Sequence, residues 1–452
     1  MSAPVPAKLT KRILLAYALP AFVVALPTIP IYINLPSYYG IELGLGLAAT
    51  GFILLLARIF DTVTDPLIGM LSDRFNFRGA RRKPWIAIGA VVAGIGLYKV
   101  LNPPLDVDTS YLLGWSILLY AGWTMVAVPY FAWGAELSDD YDERTRITSW
   151  REAAGLLGIL GAGAVSAVAV NLDLAGGNPV ASIAWLAIAL GVVAFPLLLK
   201  TVPDTMPSGH ASSPISFKRF RAEARSLASN APFVRLLGAW FINGLANGIP
   251  SALFLIYLQY ALGASEADQP LFILIYFLAG VLAIPVWLKL SQRHGKHRIW
   301  CVAMIFAVCA FAMVPFIPTG GYLMFGIVCV VTGMALGADL ALPPAIQADV
   351  LDYDRWKFGR ARAGVQFALW GMATKLALAV SVGIALPSLQ GLGFDPDAPT
   401  QEGIWALLLL YGVVPIGIKV LAIMMVWNFP ITSAKHAIIR KRLQQRDASQ
   451  KS

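Results

Sequence analysis

The sequence predicts an all-α membrane protein with twelve transmembrane helices in two pseudo-symmetric six-helix bundles. Three observations predict it. Of 452 residues, 58% are hydrophobic and only 13% charged, with a mean hydropathy of +0.69, far too little polar surface for a water-soluble fold. Apolar segments of about 20 residues, the length that crosses a bilayer core, recur down the chain. Lys and Arg crowd alternate connections, the positive-inside pattern of a multi-pass chain.

The first span, 13–38, follows Lys8, Lys11 and Arg12 and holds Pro27, Pro30 and Pro36. It is too long for a cleaved signal and lacks a small-residue cleavage site. Span two, 43–72, carries an acidic pair and leads into Arg74, Arg78, Arg81, Arg82 and Lys83. Spans three (85–102) and four (110–136) are joined by NPPLDVDTS, and spans five (151–172) and six (180–201) by NLDLAGGNP, both without Lys or Arg. Residues 202–229 form a long polar loop with Lys218, Arg219, Arg221 and Arg225. Six more spans follow at 234–262, 268–291, 299–318, 321–348, 364–388 and 403–429. GFDPDAPTQEG (393–403) again lacks cations, and the tail carries Arg440, Lys441, Arg442 and Arg446. The alternation places both termini in the cytoplasm, and a missed span would scramble it. The net charge of +10 therefore reflects topology rather than nucleic-acid binding. The domain plan is an N-terminal bundle (1–201), a central cytoplasmic loop (202–229), a C-terminal bundle (230–430) and a basic tail (431–452).

The halves resemble each other. Span two ends DPLIGMLSDRFNFRGARRKPW and span eight IPVWLKLSQRHGKHRIW; span four ends VPYFAWGAELSDDYDERTR and span ten LPPAIQADVLDYDRWKFGR. Matching prolines and charged loops in both pairs indicate a duplicated six-helix unit, a known transporter architecture. Where span two has Asp61 and Asp65, span eight has Gly280 and Ile284. The acidic pair is therefore not needed to build the unit.

Asp61 and Asp65, in ARIFDTVTDPLIG (57–69), are i and i+4, so their carboxylates share one helical face. Each costs about 2.5–3.5 kcal/mol at the bilayer centre. Such a pair suits a hard cation or a shared proton, with hydroxyls from Thr64 and Thr124 nearby. The alternative is a buried salt network neutralised by Arg58. Further polar and aromatic candidates for a solute site are Tyr32, Asn34, Phe131, Trp133, Arg151, Asn243, Asn247, Asp339, Gln366 and Trp370. Lys99, Lys289 and Lys419 read as snorkelling to an interface. Glu136 belongs to the cytoplasmic end of span four. The three cysteines, Cys301, Cys309 and Cys329, read as reduced packing residues. With no nucleophile–base pair or His-rich metal set in the spans, the chain reads as no enzyme, and no metal is expected beyond Na⁺.

The segment GMLSDRFNFRGARRKP (69–84) resembles the cytoplasmic loop signature of the major facilitator superfamily, stretched by two residues. That resemblance makes Asp73, Arg74, Arg81 and Arg82 a candidate gating loop rather than a solute site. ARIFDTVTDPLIG is similar, in its Asp-x-x-x-Asp-Pro-x-x-Gly core, to helix two of the glycoside–pentoside–hexuronide:cation symporters, the melibiose-permease family. The match extends to VPYFAWGAEL (128–137), Thr124, Arg151 and RAGVQFALWGMATKLA (363–378), nearly the whole chain. The resemblance implies the major facilitator fold, a cation site at Asp61, Asp65, Thr64 and Thr124, and Lys375 as a charge partner. The sequence departs from the family where sugar-recognising members carry two aspartates, at positions corresponding to Ala25 and Ala127, and a tryptophan, at Phe131.

The expected function is cation-coupled symport, with Na⁺ or H⁺, of a small organic solute of the sugar or glycoside type, by alternating access. A non-sugar solute (an organic acid or lysolipid-like amphiphile) and an uncoupled facilitator stay open as alternatives. The resemblance implies no cofactor besides the coupling ion. The expected partners are a solute, a cation and the bilayer, with no nucleic acid, for a monomer in a bacterial inner membrane.

Overall fold

The structure is a computed structural model and describes residues 8–74, 80–104, 106–138, 140–171, 179–203, 217–359 and 362–449. The chain forms two compact units, Met1–Ser216 with Ser265–Leu271, and Phe217–Ala264 with Phe272–Ser452. Six long helices make up the first: α1 (Lys11–Glu42), α2 (Leu47–Arg74), α3 (Lys83–Leu101), α4 (Thr109–Glu136), α5 (Tyr141–Asn171) and α6 (Pro179–Thr201). The second repeats the set with α7 (Ala231–Leu262), α8 (Gln269–His294), α9 (Lys296–Phe316), α10 (Tyr322–Phe358), α11 (Ala363–Gly391) and α12 (Gln401–Trp427). Among the described residues, eleven helices are long and apolar enough to cross a membrane; α5, with its charged first turns, is the twelfth long helix.

Helix starts follow from local chemistry. Thr10, Asp108, Asn230 and Thr400 accept from the backbone N–H groups of Ile13, Tyr111, Phe233 and Gly403, satisfying donors that the first helical turn leaves open. Helix α1 departs from regular α-helix, passing through π-helical turns at Pro30–Asn34 and Tyr38–Glu42.

Each unit packs by the same plan. Helix α1 lies against α5 and α6, and α3 against α4 and α6; α7 lies against α11 and α12, and α9 against α10 and α12. Close approach needs small residues. A Cβ on Gly96 would sit 2.6 Å from the Leu119 Cα, and one on Gly280 3.1 Å from the Gly333 carbonyl.

Four elements differ from the predicted pattern. Helix α5 begins at Tyr141 rather than 151, because its charged first turns have partners. Asp140 accepts from the Glu143 N–H, and Glu143 accepts from the Leu9 N–H and from Arg146. Helix α10 runs past 348 to Phe358, stabilised by Lys296 on Asp349 at 2.7 Å and by Arg362 on Asp354. Part of the polar loop is helical, Phe217–Leu227. The tail forms a helix too, Ser433–Ser449, which buries Ile439 and Leu443 and sets His436 Nε2 2.8 Å from Asp352. Cys301 and Cys329 are buried as expected of packing residues, but Cys309 is exposed on α9.

Candidate functional site

The acidic pair lies wholly within the first unit, on α2 against α4. Thr124, fully buried, places its Oγ1 2.9 Å from Asp61 Oδ1 and 2.9 Å from Asp65 Oδ1. A hydroxyl has one proton and can donate to only one of them. The other approach sets acceptor against acceptor, which is unfavourable unless a cation or a proton joins the three oxygens. Thr64 donates to the Asp61 carbonyl at 3.0 Å, so its hydroxyl serves the helix backbone beside the pair.

Arg58 brings a positive group to the site, 3.7 Å from Asp61 Oδ2. Its guanidinium lies between two rings, 4.2 Å from the Tyr32 centroid and 4.1 Å from that of Tyr120. This aromatic clamp orients the arginine and replaces part of its hydration. Asp61 is buried with Arg58, whereas Asp65 is only half-buried. The two carboxylates thus differ. Asp61 pairs with Arg58, and Asp65 is the more exposed of the two.

The other candidates of this unit separate by contact. Tyr32 belongs to the Arg58 clamp, and Asn34 is half-buried at the end of the same π-helical turn. Phe131 is half exposed, with the Arg151 guanidinium 4.5 Å from its ring centroid, and Arg151 also pairs with Glu152. Trp133 does not fit a solute role. It is fully buried in the core with Leu14, Ile86 and Leu198, and its indole N–H donates to the Pro203 carbonyl at 3.2 Å. Ala25 is a helix-packing residue: a Cβ on Gly158 of α5 would lie 2.9 Å from the Ala25 Cβ. The α1–α5 approach leaves little room there for an aspartate.

In the second unit, Asp339 on α10 gathers partners from two other helices, α7 and α9. Its Oδ1 accepts from the Trp300 indole at 2.6 Å, and its Oδ2 from the Asn243 and Asn247 amides at 3.0 and 2.8 Å. The same two asparagines accept from Lys419 Nζ at 2.9 and 2.6 Å. Lys419 is only 1% exposed, so the snorkelling expectation fails for it. Hydropathy along one helix cannot distinguish a lysine reaching for water from one reaching for a buried amide. Asp339, Asn243 and Asn247 therefore spend these groups on each other and on Lys419. Trp370 stacks on Trp240 at 4.8 Å, a packing arrangement. Gln366 is fully buried, and its amide oxygen and nitrogen have no hydrogen-bond partner among the described residues. Lys375 is half-buried on α11.

At the helix ends, Arg81 and Arg82 both pair with Glu136, and Arg82 also donates to the Ser72 hydroxyl at 2.9 Å. This ties the start of α3 to the ends of α2 and α4. Glu136, which the sequence placed only at a helix end, is the anchor of the basic loop. The side chains of Asp73 and Arg74 lie outside the described residues.

The MFS/sugar transport protein family model matches residues 15–433. The uncharacterized symporter YjmB of Bacillus subtilis (strain 168) is 26% identical over 432 residues, covering 92% of this chain and 91% of its own. The sodium-dependent lysophosphatidylcholine symporter 1-A of Danio rerio is 24% identical over 435 residues, covering 87% and 80%. Among solved structures, the D-xylose-proton symporter superposes with a TM-score of 0.67 at 16% identity, over 92% of this chain and 97% of its own. That last likeness is one of fold.

Proposed function

The chain belongs to the MFS/sugar transport family, in its glycoside–pentoside–hexuronide:cation symporter group, as a multi-pass membrane transporter; from that premise we propose that it is a cation-coupled symporter. Asp61, Asp65 and Thr124 hold the coupling ion, Na⁺ or H⁺, and Arg58 holds Asp61 in place. The observation that carries this reading is the Thr124 hydroxyl at 2.9 Å from both carboxylates, a cluster of oxygens of the kind that takes up a cation or a shared proton. An inward step of one charge through 100 mV releases about 2.3 kcal/mol, enough to accumulate a solute about fiftyfold. Both termini face the cytoplasm on the positive-inside asymmetry.

The solute is of the sugar or glycoside type, in line with the family description. A second reading, an organic acid or lysolipid-like amphiphile, is favoured by Ala25 and Ala127 and by the lysophosphatidylcholine symporter among the relatives. Hydroxyl recognition needs buried acceptors, and two aligned positions lack them. A thermal-shift screen of sugars, organic acids and lysolipids, each with and without Na⁺, separates the two by which class stabilises the protein. Uptake by vesicles that is indifferent to Na⁺ and H⁺ gradients contradicts symport and leaves an uncoupled facilitator.

A further inference from the structure

An apolar groove of about 670 Å³ opens within the first unit, walled by α1, α3, α4 and α6. That volume falls in the roughly 300–1,000 Å³ range of small-molecule sites. Its walls carry no charged side chain. Along α3 it runs from Ala87 to Tyr98 and along α6 from Trp185 to Leu199, about 16 and 21 Å of helix. That is the depth of about one leaflet of the hydrocarbon core. Val91 and Val192, on the rim, are largely exposed on the apolar outer surface. One end is closed by Tyr98 against Trp185, with ring centroids 5.2 Å apart.

The other end is cationic. Helix α3 begins at Lys83, one turn before the groove, and α6 ends with Lys200 just past Leu199. These ends are together in space, because Ile86 and Leu198 share one core cluster with Trp133. The Lys83 ammonium lies 5.5 Å from the Trp133 ring centroid, and the Trp133 indole donates to Pro203, three residues beyond Lys200. A chain-shaped apolar slot that opens sideways and ends beside two lysines matches one ligand chemistry: a phosphate headgroup on an acyl chain.

We propose that this groove is a binding site for an anionic glycerophospholipid, with one acyl chain between α3 and α6 and its phosphate at Lys83 and Lys200. The positive-inside asymmetry puts that headgroup in the cytoplasmic leaflet. Two small residues keep the slot open. A Cβ on Gly94 meets no atom within 4 Å, and one on Gly191 meets only ordinary contacts at 3.6–3.7 Å. Asp61, Asp65 and Thr124 do not line the groove, so this site stands or falls independently of the coupling ion.

The test is native mass spectrometry of the purified full chain with dioleoyl phosphatidylglycerol or dioleoyl phosphatidylcholine added. The expected result is one phosphatidylglycerol retained per chain, about tenfold more strongly than phosphatidylcholine. The double variant Lys83→Gln, Lys200→Gln should lose that preference. Gly94→Leu, which grows into open space, and Val91→Trp, one turn earlier on the same groove-lining face of α3, should each remove the retained lipid while leaving the melting temperature in detergent unchanged. Equal retention of both lipids, indifferent to the lysine variants, means annular contact only and overturns the proposal. Phosphatidylglycerol retained undiminished by a folded Gly94→Leu or Val91→Trp protein places the lipid elsewhere and overturns it as well. Two slot variants are used so that one that fails to fold still leaves the other to decide.

Discussion

Asp61 and Asp65 are four residues apart on one helix, yet they have different surroundings. Asp61 shares its burial with Arg58, whose guanidinium lies between two tyrosines, and Asp65 is half-buried. Asp65→Asn is therefore expected to abolish cation-dependent uptake with the protein's melting temperature unchanged. Asp61→Asn strands a buried guanidinium and should lower both uptake and thermal stability. Comparing the two melting curves checks this: equal destabilisation would make the pair a structural salt network. Thr124→Val removes a hydrogen bond to a charged group, worth about 1.5–3 kcal/mol. It should weaken the half-saturating cation concentration about tenfold to a hundredfold; an unchanged value would remove Thr124 from the site. The pair was legible in the sequence because its i, i+4 spacing fixes the shared face. The Tyr32–Tyr120 clamp was not, since nothing in the spacing of α1 and α4 says which rings meet over an arginine. Trp133 was misread for a related reason, as an aromatic in a span packs or binds according to what faces it.

At the scale of the element, α10 ties the second unit together. Asp339 accepts from Trp300, Asn243 and Asn247, and Lys419 completes the network from α12. Four helices thus meet at one carboxylate and one ammonium, both buried. Asp339→Ala leaves the ammonium without its countercharge and should cost about 3–5 kcal/mol of stability. Adding Lys419→Met to that variant should restore part of the loss, since the uncompensated charge goes with it. Thermal unfolding of the single and double variants measures the coupling, and strictly additive losses would contradict the network. The last turns of α10 and the start of α5 went unread as helix because hydropathy ends where charge begins. Those charges are the elements' partners: Asp349 with Lys296, Asp354 with Arg362, and Glu143 with Arg146. The tail helix was missed likewise, its apolar stripe of Ile439 and Leu443 being too short to show in a basic segment.

For the whole molecule, the sequence read the architecture well. The six-plus-six plan follows from span length and the alternation of basic loops, and each unit repeats one packing scheme. The repeats differ where the proposed coupling site lies: the first unit holds the Asp61–Asp65–Thr124 cluster, where its duplicate has Gly280 and Ile284. What the solute is was less legible, because recognition depends on a few side chains set into an otherwise general scaffold. The most direct test of the account is solute uptake by vesicles under an imposed Na⁺ or H⁺ gradient, using a solute that stabilises the protein in the thermal screen, for the wild-type chain and Asp65→Asn side by side. The account predicts gradient-driven accumulation by the wild type and none by a folded Asp65→Asn protein. Equal accumulation by both would contradict it.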